Sequence, residues 1–191
     1  MAVRTGKGDT GFTDLSFRKH ISKDSIDISA IGDLDELISY LGLIKNKVKS
    51  GKNRDILERI QRTVHMIVSE IAVGAEKKEQ LGLLLRGEEA DWIKEILYQL
   101  ERKTRVESCF YLPGDNELSA FIDITRTVAR RAERSVVGLF RKDRVKNDNI
   151  LTYLNCISDI LFVMARERSR GGEKRPKKAA LKGKKRRSVK K

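Results

Sequence analysis

Residues 31–48, IGDLDELISYLGLIKNKV, decide the fold. Ile31, Leu34, Leu37, Ile38, Leu41, Ile44 and Val48 recur at steps of three and four, which lines one face of a helix. Ser50-Gly51 closes the pattern. The same period returns in Ile56, Leu57, Ile60, Val64, Ile67, Val68 and Ile71, and a third helix is predicted over about 88–103, with Trp92, Ile93, Ile96, Leu97 and Leu100 inward. A fourth is predicted over about 117–140. A fifth, over about 149–166, turns Ile150, Leu151, Leu154, Ile157, Leu161 and Ala165 to the core. No segment alternates as a strand does, no solenoid-length repeat occurs, and the only prolines are Pro113 and Pro176. The expected class is all-α, an up-and-down helical bundle.

Outside the helices lie three stretches of different character. Residues 1–27 read as an irregular arm with Gly6, Gly8 and Gly11 close together. Cys109 to Asp115 is extended and ends in the turn dipeptide Pro113-Gly114. Residues 168–191 hold 13 of the 41 basic side chains but one of the 27 acids, leaving 28 basic and 26 acidic side chains in residues 1–167. The net charge of +14 therefore belongs mostly to a tail, which is poor in apolar residues and expected to be disordered. The expected domain is 1–167, long enough to bury a real core.

Composition excludes several classes. Cys109 and Cys156 make neither a disulfide framework nor a CxxC, and only His20 and His65 could join them at zinc. No apolar run approaches the roughly 20 residues of a membrane span. MAVRTGKGDT lacks the apolar region of a secretory signal, so the expected compartment is the cytoplasm.

Two stretches could carry chemistry. Thr5 to Thr13, TGKGDTGFT, has what a phosphate cradle needs: glycines that let backbone N–H groups approach oxygens, a lysine and hydroxyls. It is not a Walker A motif, and a plain irregular terminus fits it equally well. On the fourth helix Leu118, Phe121, Thr125, Val128, Ala129, Ala132 and Val136 share one arc, and Asp123, Arg126, Arg130, Arg131, Glu133 and Arg134 fill the other. Four arginines in nine positions suit a polyphosphate, although a solvated basic face has the same pattern. Asp33, Asp35 and Glu36 read as acids in the opening turn of the first helix, favoured there by its dipole. Asn155, with Asp159 and Arg166, sits at the rim of the fifth helix's apolar arc.

Order and combination go further. TGKGDTGFTDL (5–15), DELISYLG (35–42), FYLPGD (110–115), RTVARRAER (126–134) and LTYLNCISDILF (151–162) together resemble the PduO-type ATP:cob(I)alamin adenosyltransferase, or corrinoid adenosyltransferase, family. The resemblance runs from Thr5 to about Arg166. It implies a ferritin-like five-helix bundle assembled as a homotrimer, with active sites between subunits. It implies transfer of the 5′-deoxyadenosyl group of ATP to the cobalt of cob(I)alamin, giving adenosylcobalamin and triphosphate, with a reductase and an adenosylcobalamin-dependent enzyme as possible partners. By that resemblance Thr5, Gly6, Lys7, Gly8, Asp9, Gly11, Thr13 and Lys23 wrap ATP, and Arg130, Glu133 and Asn155 line the nucleotide site. Asp35 and Arg126 match a pair that joins subunits near the corrin, and Phe110 matches the aromatic ring on the lower face of cobalt. Mg2+ would be held largely by the phosphates, and no protein ligand is assigned to it.

Four positions depart from the family pattern. Asp27 stands for a common arginine, Asp115 for the second glycine of PGG, Asp123 for a histidine, and Cys156 for the arginine after Asn155. Each removes positive charge or adds negative charge. A homologue that binds nucleotide or cobalamin without turnover is one alternative. A nucleic-acid binder acting through the basic tail is another, and an anionic membrane surface would attract that tail equally.

Overall fold

The computed structural model describes residues 6, 8–48, 51–73, 82, 84–104, 106 and 110–170, with side chains as far as 168. Two short strands come first, β1 (Phe12–Thr13) and β2 (Ile21–Ser22), then five helices: α1 (Ile26–Lys47), α2 (Lys52–Val73), α3 (Gly87–Thr104), α4 (Glu117–Phe140) and α5 (Asp148–Arg170). The expected five-helix bundle is what forms. Its boundaries follow from local chemistry. Ser25 caps α1 by accepting from the Ile28 N–H, and Asn116 and Ser119 satisfy each other's backbone N–H groups at the start of α4.

The helices pack in the order α2–α1–α4–α5–α3. Leu34, Leu37, Leu41 and Ile44 from α1 meet Leu57, Ile60 and Ile67 from α2, Ile122 and Val136 from α4, and Ile157 and Leu161 from α5 in one core. Polar clasps fix the register. Lys47 reaches Glu117 at 2.7 Å and Arg131 reaches Asp33 at 3.0 Å, so α1 and α4 are antiparallel. At one end of the bundle the fully buried carboxylate of Glu70 accepts from Leu85 N at 2.9 Å and from Asn147 Nδ2 at 3.1 Å. At the other, Glu167 accepts from Asn53 and Lys103, both at 2.6 Å.

Four expectations need correction. The arm is not wholly irregular, because β1 and β2 pair antiparallel with Phe12 opposite Ser22; strands of two residues are too short for alternation to show. Helix α1 begins at Ile26, so Asp33, Asp35 and Glu36 lie two turns inside it, and Asp33 and Glu36 instead pair with Arg131. Asp123 and Arg166 are buried and bonded to each other, although the helical wheel placed Asp123 on the polar arc and Arg166 at a rim. Helix α5 continues to Arg170, past the expected boundary at 167. Thr5, Lys7, Cys109 and the tail from 171 lie outside the described residues.

Candidate active site

The arm is built around Lys23. Its ammonium donates to the Gly8 carbonyl at 2.7 Å, and its backbone N–H donates to the Gly11 carbonyl at 2.9 Å. One residue thus closes the glycine segment onto β2. Gly6 and Gly11 hold φ of 69° and 84°, the left-handed region that a Cβ disfavours. The result is a cavity of about 390 Å³ lined by Gly8, Thr10, Phe12, Thr13, Asp14, His20 and Lys23. Of the arm residues expected from sequence, Gly8, Thr13 and Lys23 line it. Gly6, Asp9 and Gly11 shape the turns beside it, the Asp9 N–H donating to Gly6 O at 3.2 Å.

Sequence reasoning missed His20 and Asp14 as parts of this cavity. The His20 ring stacks on Phe12 with centroids 4.0 Å apart, and its backbone takes φ of 54° while its N–H donates to Asp14 at 2.9 Å. The local motif carried no sign of this, because the stack arises from the β1–β2 pairing. Arg18 docks the arm on the bundle through Asp27 at 2.9 Å and the Ile71 carbonyl at 3.2 Å.

A second group lies on the α4–α5 seam. Arg130 stands close enough to Asp159 to oppose the burial that raises that carboxyl above its ordinary value. Glu133 is half-buried one turn along α4, and Asn155 is exposed one turn before Asp159 on α5. Arg126 lies deeper, its buried Nε 3.7 Å from Asp123, beyond hydrogen-bond range. Asp35 is exposed on α1, offset along the bundle by about 4.5 Å from Arg126 at 1.5 Å per residue. Within the chain Arg126 pairs with Asp123, not with Asp35.

Phe110 belongs to the far end of the bundle and is 68% exposed. Its neighbour Tyr111 packs edge-on against Phe162 of α5, at 5.9 Å. The clasps at Asp33–Arg131 and Asp123–Arg166 put the arm's dock at Asp27 and the Phe110 loop about 21 Å apart along the helices.

The four departures from the family pattern now have surroundings. Asp27 is neutralised by Arg18, and Asp123 by Arg166. Burial raises the Asp123 carboxyl above its ordinary value, against the pull of Arg166 and Arg126. Cys156 faces the core, where burial pushes its thiol up. Asp115 is half-buried beside the same cluster, close enough to act on Asp123. Asp27 and Asp123 each have an arginine partner, so neither adds an uncompensated negative charge.

Comparison with known proteins shows the family and the fold. A family model described as Cobalamin adenosyltransferase matches residues 3–168. The chain is 34% identical over 174 residues to a Cobalamin adenosyltransferase of Cupriavidus metallidurans, covering 89% of each. It is 31% identical over 166 residues to the Corrinoid adenosyltransferase PduO of Salmonella typhimurium, covering 87% of this chain and 49% of that protein, so it spans about half the length of that relative. A variant PduO-type ATP:corrinoid adenosyltransferase from Lactobacillus reuteri, solved in complex with cobalamin and ATP, superposes with a TM-score of 0.83 at 26% identity over 93% of this chain and 96% of that one.

Proposed function

Because the chain belongs to the cobalamin adenosyltransferase family, we propose that it transfers the 5′-deoxyadenosyl group of ATP to the cobalt of cob(I)alamin. The observation that carries this reading is the Lys23 cradle, which sets an ammonium on the wall of a cavity built from glycine backbone and hydroxyls. Such a site suits a triphosphate, since short donors and a fixed cation complement its oxygens. In the transfer, the cobalt electron pair forms the bond to C5′, the C5′–O bond breaks, and triphosphate leaves with that bond's electrons. Negative charge grows on the leaving oxygen, and Lys23 with Arg130 is assigned to stabilise it. Thr5 and Lys7 are assigned to the same nucleotide with Gly6, Gly8, Asp9, Gly11 and Thr13, and Glu133 and Asn155 to its other side. Phe110 is assigned to the lower face of cobalamin, where an apolar ring excludes a water ligand. Mg2+ would be held largely by the phosphates and would neutralise part of their charge. Asp14, the carboxylate on the cavity wall, is engaged by the His20 N–H and by Lys19, so no protein ligand is assigned.

Assembly belongs to the proposal. One chain carries the arm and the Phe110 loop about 21 Å apart along the helices, while the reaction needs C5′ and cobalt within bonding distance. A homotrimer in which one subunit's arm meets the seam and loop of the next resolves this, with Asp35 bonding Arg126 across the interface. Exposed Leu43 on α1 and Ile124 on α4 supply apolar surface on those two helices. No described helix is long and apolar enough to cross a membrane, and the proposed compartment is the cytoplasm. A reductase that supplies cob(I)alamin and an enzyme that takes the product are the implied partners.

The test follows the visible spectrum of chemically reduced cobalamin with ATP, Mg2+ and purified protein. Growth of the adenosylcobalamin absorbance at a catalytic rate supports the transferase. ATP binding without growth favours the non-catalytic homologue. No growth and no ATP binding redirects attention to the basic tail.

A further inference from the structure

We infer that the buried pair Asp123–Arg166 and the ring of Tyr111 form the mount that holds Phe110 against cobalamin, an inference that rests on the role just proposed for Phe110. The first observation is alternation. Successive side chains of an extended segment point to opposite sides. Tyr111 is half-buried, whereas its neighbours Phe110 and Leu112 are 68% and 48% exposed. Turning Tyr111 inward therefore turns two apolar side chains outward, onto one face. Left free in water, a phenyl ring would fold back onto the bundle to shed that exposure. Something must fix the backbone, and the contacts of Tyr111 do so.

The second observation is what Tyr111 touches. The Arg166 guanidinium lies 5.3 Å from the Tyr111 ring centre and 5.4 Å from that of Phe162, and the two rings meet edge-on. A guanidinium serves here because its delocalised positive charge is attracted to aromatic faces. It is only 1% exposed, so it needs a counter-charge, and Asp123 supplies one from α4. The segment has a second anchor at Asn116, whose Nδ2 donates to the Arg168 carbonyl at 3.1 Å. Between them Pro113 and Gly114, the latter at φ 93°, close a short turn. Asp123 also flanks Arg126 at 3.7 Å, so one carboxylate sits between the mount and the interface arginine.

Tyr111, Arg166 and Asp123 are positioning residues on this view, acting through Phe110. Tyr111 carries the test, because Asp123→Asn strands a buried guanidinium and costs stability. The full-length protein and its Phe110→Ala, Tyr111→Phe, Tyr111→Leu and Phe110→Ala/Tyr111→Leu variants are assayed for kcat and for KM of ATP with chemically reduced cobalamin. The visible spectrum of cob(II)alamin bound with ATP reports whether the lower ligand is excluded. Tyr111→Phe keeps the ring and should stay within about twofold of wild type, while Tyr111→Leu should lower kcat about tenfold with KM for ATP unchanged. Tyr111→Leu should also restore the spectrum of ligated cobalt, and the double variant should fall no further than Phe110→Ala alone. Wild-type kcat in Tyr111→Leu, equal losses in the Phe and Leu variants, or additive losses in the double variant would each overturn the mount. An unaffected Phe110→Ala overturns the role of Phe110 itself, and the mount with it.

Discussion

Gly8 and Gly11 stand three residues apart in the arm and should fail in different ways when given a side chain. A Cβ on Gly8 would lie 3.0 Å from Lys23 Nζ and 3.4 Å from its Cε. Lysine's far end is flexible, so Gly8→Ala should fold normally and displace the ammonium from the cavity wall. Gly11 has nothing within 4 Å of the added Cβ, but its φ is +84°. Gly11→Ala should therefore lose about 1 kcal/mol of stability to backbone strain. Steady-state kinetics and thermal unfolding separate the two outcomes: a raised KM for ATP with unchanged Tm for Gly8→Ala, and a lowered Tm for Gly11→Ala. Lys23→Met removes the charge and both of its uses, and should raise KM for ATP about 10- to 100-fold, the worth of a charge-assisted hydrogen bond. Residue identities in the arm were legible from sequence because glycine, lysine and threonine there form a compact motif. Asp123 and Arg166 were not legible. They are 43 positions apart and each reads as a surface charge until its partner is known.

Periodicity gave all five helices, because each buries an apolar stripe and the period follows from that burial. It gave their ends less well. Ile26 and Ile28 precede the recognised stripe of α1, with Ile26 exposed and Ile28 half-buried, and the capping serine lies before them. Periodicity was also silent on the clasps that join helices. Glu167 on α5 is the clearest case, since it accepts from Asn53 on α2 and Lys103 on α3. Burial raises its carboxyl, but those two hydrogen bonds and the charge of Lys103 outweigh burial and hold it below its ordinary value of 4.5. A depressed carboxyl contributes stability above its unfolded value and loses it as pH falls through the folded one. Glu167→Gln should accordingly lower Tm by about 2–4 °C at neutral pH, for a loss of roughly 1 kcal/mol. The gap from wild type should close by about pH 3, read by thermal denaturation across pH.

At the scale of the whole molecule, a site shared between subunits can be complemented. Lys23→Met and Arg130→Ala disable different halves of it. If the halves come from neighbouring chains, trimers assembled from an equal mixture should regain about one quarter of their sites, while neither variant alone does. No recovery would place both halves in one chain. The charge swap Asp35→Arg with Arg126→Asp should likewise restore assembly lost in each single variant, measured by sedimentation. Removing residues 171–191 should leave turnover unchanged, because the cut spares Arg168, whose carbonyl anchors Asn116. The dock of the arm has a thermodynamic consequence. Arg18 ties the β1–β2 hairpin to α1 and α2 before any nucleotide arrives. The conformational entropy of ordering that hairpin is thus spent in folding rather than in ligand capture. Calorimetry of ATP binding should give a heat-capacity change well short of the large negative value of coupled folding and binding. A nucleotide meeting a hairpin already in place need not wait for the chain to close around it.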